Sequence, residues 1–178
     1  MIKIALTILF LLFSASSIGA PEDFSKGPVF KEYGENTAIE GGLVNPETQH
    51  FKVVFDISDQ TKSNGPSRQF NSVARFINMH VRAGVPRDNI EVAMVIHGKA
   101  SFDLMNDKAH SAKFDKPNSN TELIDLLTKF GVTVFICGQS ANYHGISSDQ
   151  LNPKVEMSLS AMTANALLQQ SGYTLNPF

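Results

Sequence analysis

Three apolar runs rich in β-branched and aromatic residues, separated from one another by helical patterns, constrain the fold of this chain most strongly. The runs cover residues 51–57, 90–96 and 132–136. Near-continuous apolar runs of this length are typical of strands in a parallel sheet, because helices cover both faces of such a sheet. The alternation of strand and helix therefore predicts an α/β fold with three layers, α/β/α, around a mainly parallel sheet of about five strands.

Spacing and capping residues indicate where the first helix lies. It follows Pro66 and ends at Gly84. Arg68, Arg75 and Arg82 recur every seven residues on its other side, which is typical of a solvated helix face rather than an anion-binding stripe. The apolar positions that predict the helix are Phe70, Val73, Ala74, Ile77 and Val81.

Further elements are predicted after the second apolar run. A helical stretch covers 101 to about 110, and Ser119 with Glu122 forms a capping box for a helix that ends at Gly131. A fourth strand covers 155–159. Ser160 caps a last helix over 161–171, and residues 173–175 form a short edge strand.

The first fifty residues have a different character. Residues 1–20 combine a basic start at Lys3, an apolar stretch and small residues, as a secretory signal peptide does, with cleavage after Gly19 or Ala20. The apolar stretch is about half the length of a membrane span, so we expect no membrane insertion after signal removal. Glycines and prolines over 21–50 predict an extended arm, with a short hairpin pairing 29–33 with 37–39, before an α/β domain over 51–178.

Charge and cysteine content exclude several classes of function. With 15 Lys+Arg against 17 Asp+Glu, the formal net charge is -2. This balance gives no basic footprint for phosphates, so we expect no nucleic-acid partner. A single cysteine excludes an intramolecular disulfide and a thiolate metal cluster. The five histidines lack metal-ligand spacing and no glycine-rich phosphate loop follows a strand, so we expect no metal and no cofactor.

The carboxyl ends of the predicted strands hold the candidate site, since open α/β sheets bind ligands there. Cys137 follows the third apolar run at a predicted helix start, where backbone N–H groups favour a thiolate. It is the candidate nucleophile, although its position alone equally fits a small buried core residue. His97 and Lys99 follow the neighbouring strand and are candidate supporting charges, with packing as the alternative role of His97. His144, in a loop beyond Cys137, is a candidate acid, base or surface group.

The turns that follow those two strands supply the remaining candidates. Gly98 lies after the second strand, and Gly138, Gln139 and Ser140 lie after the third. We expect these four residues to bind ligand.

Four segments in the same order resemble the DsrE/DsrF family of small sulfur-relay proteins. In chain order they are 95–100 (VIHGKA), the helix and turn that precede Gly131, 131–146 (GVTVFICGQSANYHGI), and the stretch from 155–157 (VEM) through 167–173 (LLQQSGY), within a match over about 51–175. The resemblance implies the three-layer, flavodoxin-like sheet and assembly as homotrimers or hexamers. It also implies that sulfur is carried as a persulfide on a cysteine matching Cys137.

Two functions from different classes are therefore expected. The first is an exported, periplasmic sulfur-handling protein in which Cys137 accepts sulfane sulfur as a persulfide and passes it to an acceptor thiol, so that donor and acceptor proteins or small thiols are its partners. The alternative is a non-catalytic, oligomeric module of the same fold that binds a small molecule or anion. A cysteine–histidine hydrolase is a distant third, because no orienting partner is assigned to either histidine.

Overall fold

A computed structural model describes residues 23–62 and 64–177, so the predicted signal peptide lies outside the described residues. The strands are β1 (Phe51–Ile57), β2 (Ile90–Ile96), β3 (Thr133–Cys137), β4 (Glu156–Ser158) and β5 (Thr174–Asn176). The helices are α1 (Arg68–Arg82), α2 (Asp107–Phe114), α3 (Thr121–Phe130), α4 (Gly138–His144) and α5 (Ala161–Gln170). Short 3-10 helices cover Pro46–Thr48, Arg87–Asn89, Gly98–Leu104 and Ser148–Gln150.

All five strands pair in parallel in the order β4-β3-β2-β1-β5. The central pairs keep a regular register, with Phe51 opposite Ile90 and Ile96 opposite Ile136. The predicted α/β fold with a parallel five-stranded sheet is confirmed. The first two apolar runs, 51–57 and 90–96, form β1 and β2 with the predicted bounds. The two edge strands, β4 and β5, have three residues each.

Alternation along the strands divides the core between the two faces of the sheet. The larger cluster packs residues such as Phe55, Met94 and Ile136 against α1 and α3. The smaller cluster packs Val54, Ala93 and Val95 against α5. Successive strand residues point to opposite faces, so a residue two positions after a member of the smaller cluster lies on the α5 side.

Helix α1 buries the predicted apolar residues Phe70, Val73, Ala74 and Ile77. It also buries Asn78, whose side chain accepts from the backbone N–H groups of Val29 and Phe30 and donates to the carbonyls of Phe30, Tyr33 and Gly34. One asparagine thereby forms hydrogen bonds with five backbone groups of the arm. The arm is fixed along α1 by these contacts.

One prediction about this region is wrong, and another is confirmed in part. Arg68 and Arg75 are exposed, as predicted for a solvated helix face, although Arg75 also donates to the carbonyl of Glu35, and Arg82 donates to the carbonyls of residues 25, 26 and 27. In place of the predicted hairpin, a single bridge joins Ser25 to Asn36. Side chains of α1 donate hydrogen bonds to the backbone carbonyls of the irregular arm, whereas in a hairpin a second strand would donate them.

The helices between β2 and β3 differ from the predicted ones. The stretch over 101–110 is a 3-10 helix followed by α2, which restarts at Asp107 because Asn106 accepts from the N–H of Ala109. The predicted capping box is absent, and α3 begins after Asn120. Ser119 instead donates to the carbonyl of Gly65, and Glu122 accepts from the Tyr33 hydroxyl. Both side chains thus form hydrogen bonds with other segments of the chain and do not cap α3. By contrast, Ser160 caps α5 as predicted, accepting from the N–H of Thr163.

Candidate functional site

Three strands bring polar side chains to one place at the carboxyl edge of the sheet. Asp56, His97 and Cys137 follow Val54, Val95 and Phe135 by two residues each, and these three apolar residues belong to the α5 side of the core. The period of two along each strand therefore places all three polar side chains beneath the start of α5. The prediction that His97 and Cys137 lie at the same edge is confirmed, since Ile96 pairs with Ile136 just before them.

These residues line a cavity of about 270 Å³ between the sheet edge and α5. Helix α5 contributes Ala161 and Asn165, which are one helical turn apart and so share a face. The full lining is Asp56, His97, Cys137, Gln139, Ser140, Ser160, Ala161, Met162 and Asn165. The cavity has the size of a small-molecule subsite and contains a nucleophile, an imidazole and a carboxylate.

The sulfur of Cys137 is held by hydrogen-bond donors. Cys137 is the residue before α4, and its Sγ lies 3.5 Å from the backbone nitrogen of Ser140. Burial, the strongest single influence, acts to raise the pKa of the Cys137 thiol. It is outweighed by hydrogen bonds from the Ser140 hydroxyl and from the backbone N–H groups of Ser140, Ala161 and Gln139, so the pKa is lowered from its ordinary value. The site therefore favours the thiolate, the form that reacts.

Two glycines allow the chain to close around this sulfur. A Cβ on Gly138 would lie 2.7 Å from the carbonyl oxygen of Ser158, so only glycine fits where α4 passes the end of β4. Gly98 has a φ of +55° and donates its N–H to the Ser140 hydroxyl at 3.0 Å. Because that hydroxyl accepts from Gly98, its own proton is free to point at Cys137. Of the predicted ligand-binding residues, Ser140 and Gln139 thus donate to the sulfur, and Gly98 acts on it through the Ser140 hydroxyl.

A hydrogen-bonded chain of three side chains lies beside Cys137. His97 Nε2 is 3.3 Å from Asp56 Oδ2, and Asn165 Nδ2 donates to Asp56 Oδ1 at 2.8 Å. Among the residues that the structure describes, none bonds to Asn165 Oδ1, which is buried. The chain combines an imidazole oriented by a carboxylate with an unsatisfied acceptor.

The other predicted site residues lie elsewhere. Lys99, in the 3-10 helix after β2, is exposed and does not line the cavity. His144 is the last residue of α4, at the opposite end of that helix from Cys137, where its ring packs on Phe102. It lines a second cavity of about 250 Å³. Gln139 lines the Cys137 cavity and donates to the carbonyl of Leu159. The structure thus brings together Cys137, His97 and Ser140, and separates Lys99 and His144 from them.

Sequence reasoning missed Asp56 and Asn165 as site residues. The signal for Asp56 is its place two residues after Val54, in phase with His97 and Cys137 on their strands. The signal for Asn165 is its place four residues after Ala161, on the face of α5 that meets the sheet. Their pairing joins residues 109 positions apart, and a single sequence does not reveal it.

Metal-ligating side chains do not cluster in the described part of the chain, where no group of three histidine, cysteine or acidic residues could hold a metal ion. Nor do residues 23–62 and 64–177 contain a helix that is long and apolar enough to cross a membrane.

The fold and the site define a class of protein: a parallel α/β domain with a thiolate-stabilising cysteine at the carboxyl edge of its sheet. Residues 52–177 match the model of the DsrE/DsrF-like family, and the chain belongs to that family.

Two solved structures share the fold. MTH1491, a protein of unknown function from Methanobacterium thermoautotrophicum, is 19% identical over 72% of this chain and 99% of its own, with a TM-score of 0.52. The ychN protein from E. coli is 19% identical over 72% of this chain and 100% of its own, with a TM-score of 0.50. None of the curated proteins matches the chain significantly.

Proposed function

We propose that this protein is a sulfur carrier in which Cys137 accepts sulfane sulfur as a persulfide and passes it to an acceptor thiol. The chemistry needs one thiolate that attacks a donor's terminal sulfur and later leaves when the acceptor attacks. Membership of the DsrE/DsrF-like family supports this proposal. Proteins or small thiols act as donor and acceptor.

The observation that carries the proposal is the set of donors around the Cys137 sulfur. The Ser140 hydroxyl and three backbone N–H groups stabilise the thiolate against the effect of burial. The same donors stabilise the charge that returns to Cys137 when sulfur leaves it. A cysteine that served only to fill the core would gain nothing from this arrangement, because a neutral thiol is a weak acceptor.

The test is the mass of the intact protein after exposure to polysulfide or thiosulfate. We expect the wild-type chain to gain the mass of one sulfur atom and to lose it when a reducing thiol is added. Cys137→Ser should gain none. A wild-type chain that gains no sulfur, or a variant that gains as much as wild type, contradicts the proposal.

One observation favours a second function, a non-catalytic module that binds a small ligand. Cys137 is only 5% exposed, and Asn165 Oδ1, which has no hydrogen-bond partner among the described residues, offers an acceptor to a ligand in the cavity. Alkylation of the folded protein separates the two functions. A thiol that reacts with iodoacetamide at a rate comparable to that of free cysteine supports the sulfur carrier, whereas a thiol that rejects it supports the binding module.

We also propose that the protein is exported to the periplasm, on the basis of the signal-like residues 1–20. Cell fractionation with sequencing of the mature N-terminus tests this. A mature chain that starts after Gly19 or Ala20 is the expected result, and an uncleaved chain in the cytoplasm contradicts it.

The proposed assembly is a homotrimer or a hexamer. Support comes from large apolar side chains that are exposed, with Leu159 and Met162 at 72% and 80% exposure at the start of α5 and Tyr143 at 85% on α4. Apolar side chains grouped at a surface commonly mark an interface. Light scattering at micromolar concentration should give a multiple of three chains, and a monomer contradicts this part of the proposal.

A further inference from the structure

We propose that His97 is the acid–base group of sulfur transfer at Cys137, and that Asp56 and Asn165 are positioning residues that orient it. The inference rests on the proposed sulfur-carrier function, and it adds a role that a thiolate alone does not supply. Sulfur transfer between thiols moves a proton at each step, and the side chain that moves it must share the cavity with the sulfur.

The hydrogen bonds fix the orientation of the imidazole. The carboxylate of Asp56 only accepts hydrogen bonds, so the His97 nitrogen facing it, Nε2, carries a proton. Within the described residues, no hydrogen bond engages Nδ1. This second nitrogen is therefore free to give a proton to, or take one from, a molecule in the cavity.

Asn165 holds the carboxylate from its other side. Its Nδ2 donates to Asp56 Oδ1 at 2.8 Å, while Asp56 Oδ2 faces the imidazole. The orientation of the amide follows from this contact, because a flipped amide would set its oxygen against the carboxylate. The flip would place two acceptors together. The carboxylate is thus held between an amide and an imidazole, as the orienting group of an acid–base pair must be.

The exposure of the pair agrees with a chemical role. The side chains of His97 and Asp56 are 32% and 30% exposed, so a cavity ligand can reach them. A partly exposed contact between an imidazole and a carboxylate contributes little to stability. Of the residues that line the cavity, only Asp56 on β1, His97 after β2 and Cys137 on β3 are titratable, and α5 contributes no charged side chain.

In the loading step the Cys137 thiolate attacks the terminal sulfur of a donor persulfide, R–S–SH. A bond forms between Cys137 Sγ and that sulfur, and the donor's S–S bond breaks with its electron pair going to R–S⁻. Protonated His97 then gives a proton to R–S⁻, which leaves as R–SH. Cys137 keeps S–SH, and no external oxidant or reductant is needed.

In the unloading step the neutral imidazole takes the proton of an acceptor thiol. The resulting thiolate attacks the outer sulfur of the Cys137 persulfide, and Cys137 leaves as the thiolate that its four donors stabilise. His97 is then protonated again and ready for the next donor. The two steps are the reverse of one another with different thiols.

The experiment compares two reactions of Cys137 in the full-length chain. Alkylation by iodoacetamide releases iodide, which needs no proton, whereas transfer from glutathione persulfide releases a thiolate that does. We expect His97→Asn to slow transfer about 100-fold, the contribution typical of general acid catalysis, and to leave alkylation within about twofold of wild type. His144→Asn, which alters a histidine in the other cavity, should change neither rate.

Asp56→Ala tests the positioning role and gives a second variant. We expect it to slow transfer about tenfold in the wild-type background and to have no further effect in the His97→Asn background, since residues that act as one unit are not additive. Nitrogen NMR should show His97 protonated at Nε2 in wild type and as mixed tautomers in Asp56→Ala.

The failure of this inference is distinct from failure of the sulfur-carrier function. Persulfide on wild-type Cys137 together with an unchanged transfer rate in His97→Asn overturns the role of His97 alone. No persulfide on wild type overturns both. A loss of alkylation equal to the loss of transfer in His97→Asn also overturns it, because the variant would then act on the thiolate or on folding.

Discussion

Replacing Ser140 by alanine tests how the site stabilises its thiolate. The Ser140 hydroxyl accepts from Gly98 N at 3.0 Å and is a donor to the Cys137 sulfur. Alanine removes that donor and leaves the backbone N–H groups of Ser140, Ala161 and Gln139 in place. The substitution therefore removes one of the four hydrogen bonds that stabilise the thiolate and keeps the three from the backbone.

The magnitude follows from the energy of a hydrogen bond to a charged group. Such a bond contributes about 1.5–3 kcal/mol, and each 1.4 kcal/mol is a factor of about ten in an equilibrium constant. Since three donors remain to compensate in part, we take the lower end of that range. The ionisation constant of the Cys137 thiol should fall about tenfold in Ser140→Ala.

The assay is the rate of iodoacetamide alkylation as a function of pH, followed by intact mass. The rise in rate should move to higher pH in Ser140→Ala, with the same plateau as wild type. Ser158→Ala is the matched control, because Ser158 pairs with Cys137 in the sheet but its hydroxyl binds the carbonyls of Ile136 and Ser160. A profile that does not move in Ser140→Ala, or that moves equally in both variants, refutes the reasoning.

Three further predictions concern stability. Because its pKa is lowered in the folded state, Cys137 loses its proton on folding between the folded pKa and the ordinary value of about 8.5. The free energy of unfolding of wild type relative to Cys137→Ala should therefore rise with pH across that window and be constant below it, as urea titrations at several pH values can measure. Gly138→Ala places a Cβ 2.7 Å from the carbonyl of Ser158 and should cost about 1–3 kcal/mol, seen as a lower Tm; an unchanged Tm would contradict the close approach. Asn78→Ala removes five hydrogen bonds to the arm and should destabilise the protein by about 3 kcal/mol in urea, with earlier proteolysis of the arm.

The sheet and its edge could be predicted because their pattern is local. Buried parallel strands appear as apolar runs in the sequence, and the first two of these runs, 51–57 and 90–96, coincide with β1 and β2. Parallel strands end at the same edge of a sheet, so the shared edge of His97 and Cys137 could be predicted from the sequence pattern. The period of two along β1 also indicates that Asp56 lies on the same face as Val54, but it does not indicate that Asp56 bonds to His97 and Asn165.

Contacts between distant segments could not be predicted. Asn165 meets Asp56 across 109 residues, and Asn78 meets the arm across more than 40. Hydrogen bonds of this kind depend on how helices settle on the sheet, which residue types alone do not specify. The same reason explains why the predicted capping box is absent, since Glu122 accepts from the hydroxyl of Tyr33 in the arm. The Ser160 cap of α5, by contrast, was predicted correctly, because its hydroxyl bonds within the first turn of that helix.

The location and fate of the transferred sulfur test the account most directly. The full-length chain is loaded with isotopically labelled polysulfide, digested and mapped by mass spectrometry, while a second portion is chased with an unlabelled acceptor thiol. We expect the label on the peptide that contains Cys137, and then on the acceptor as a persulfide. Label that is absent from Cys137, or that stays there in the presence of excess acceptor, would contradict the proposal that this cysteine carries sulfur.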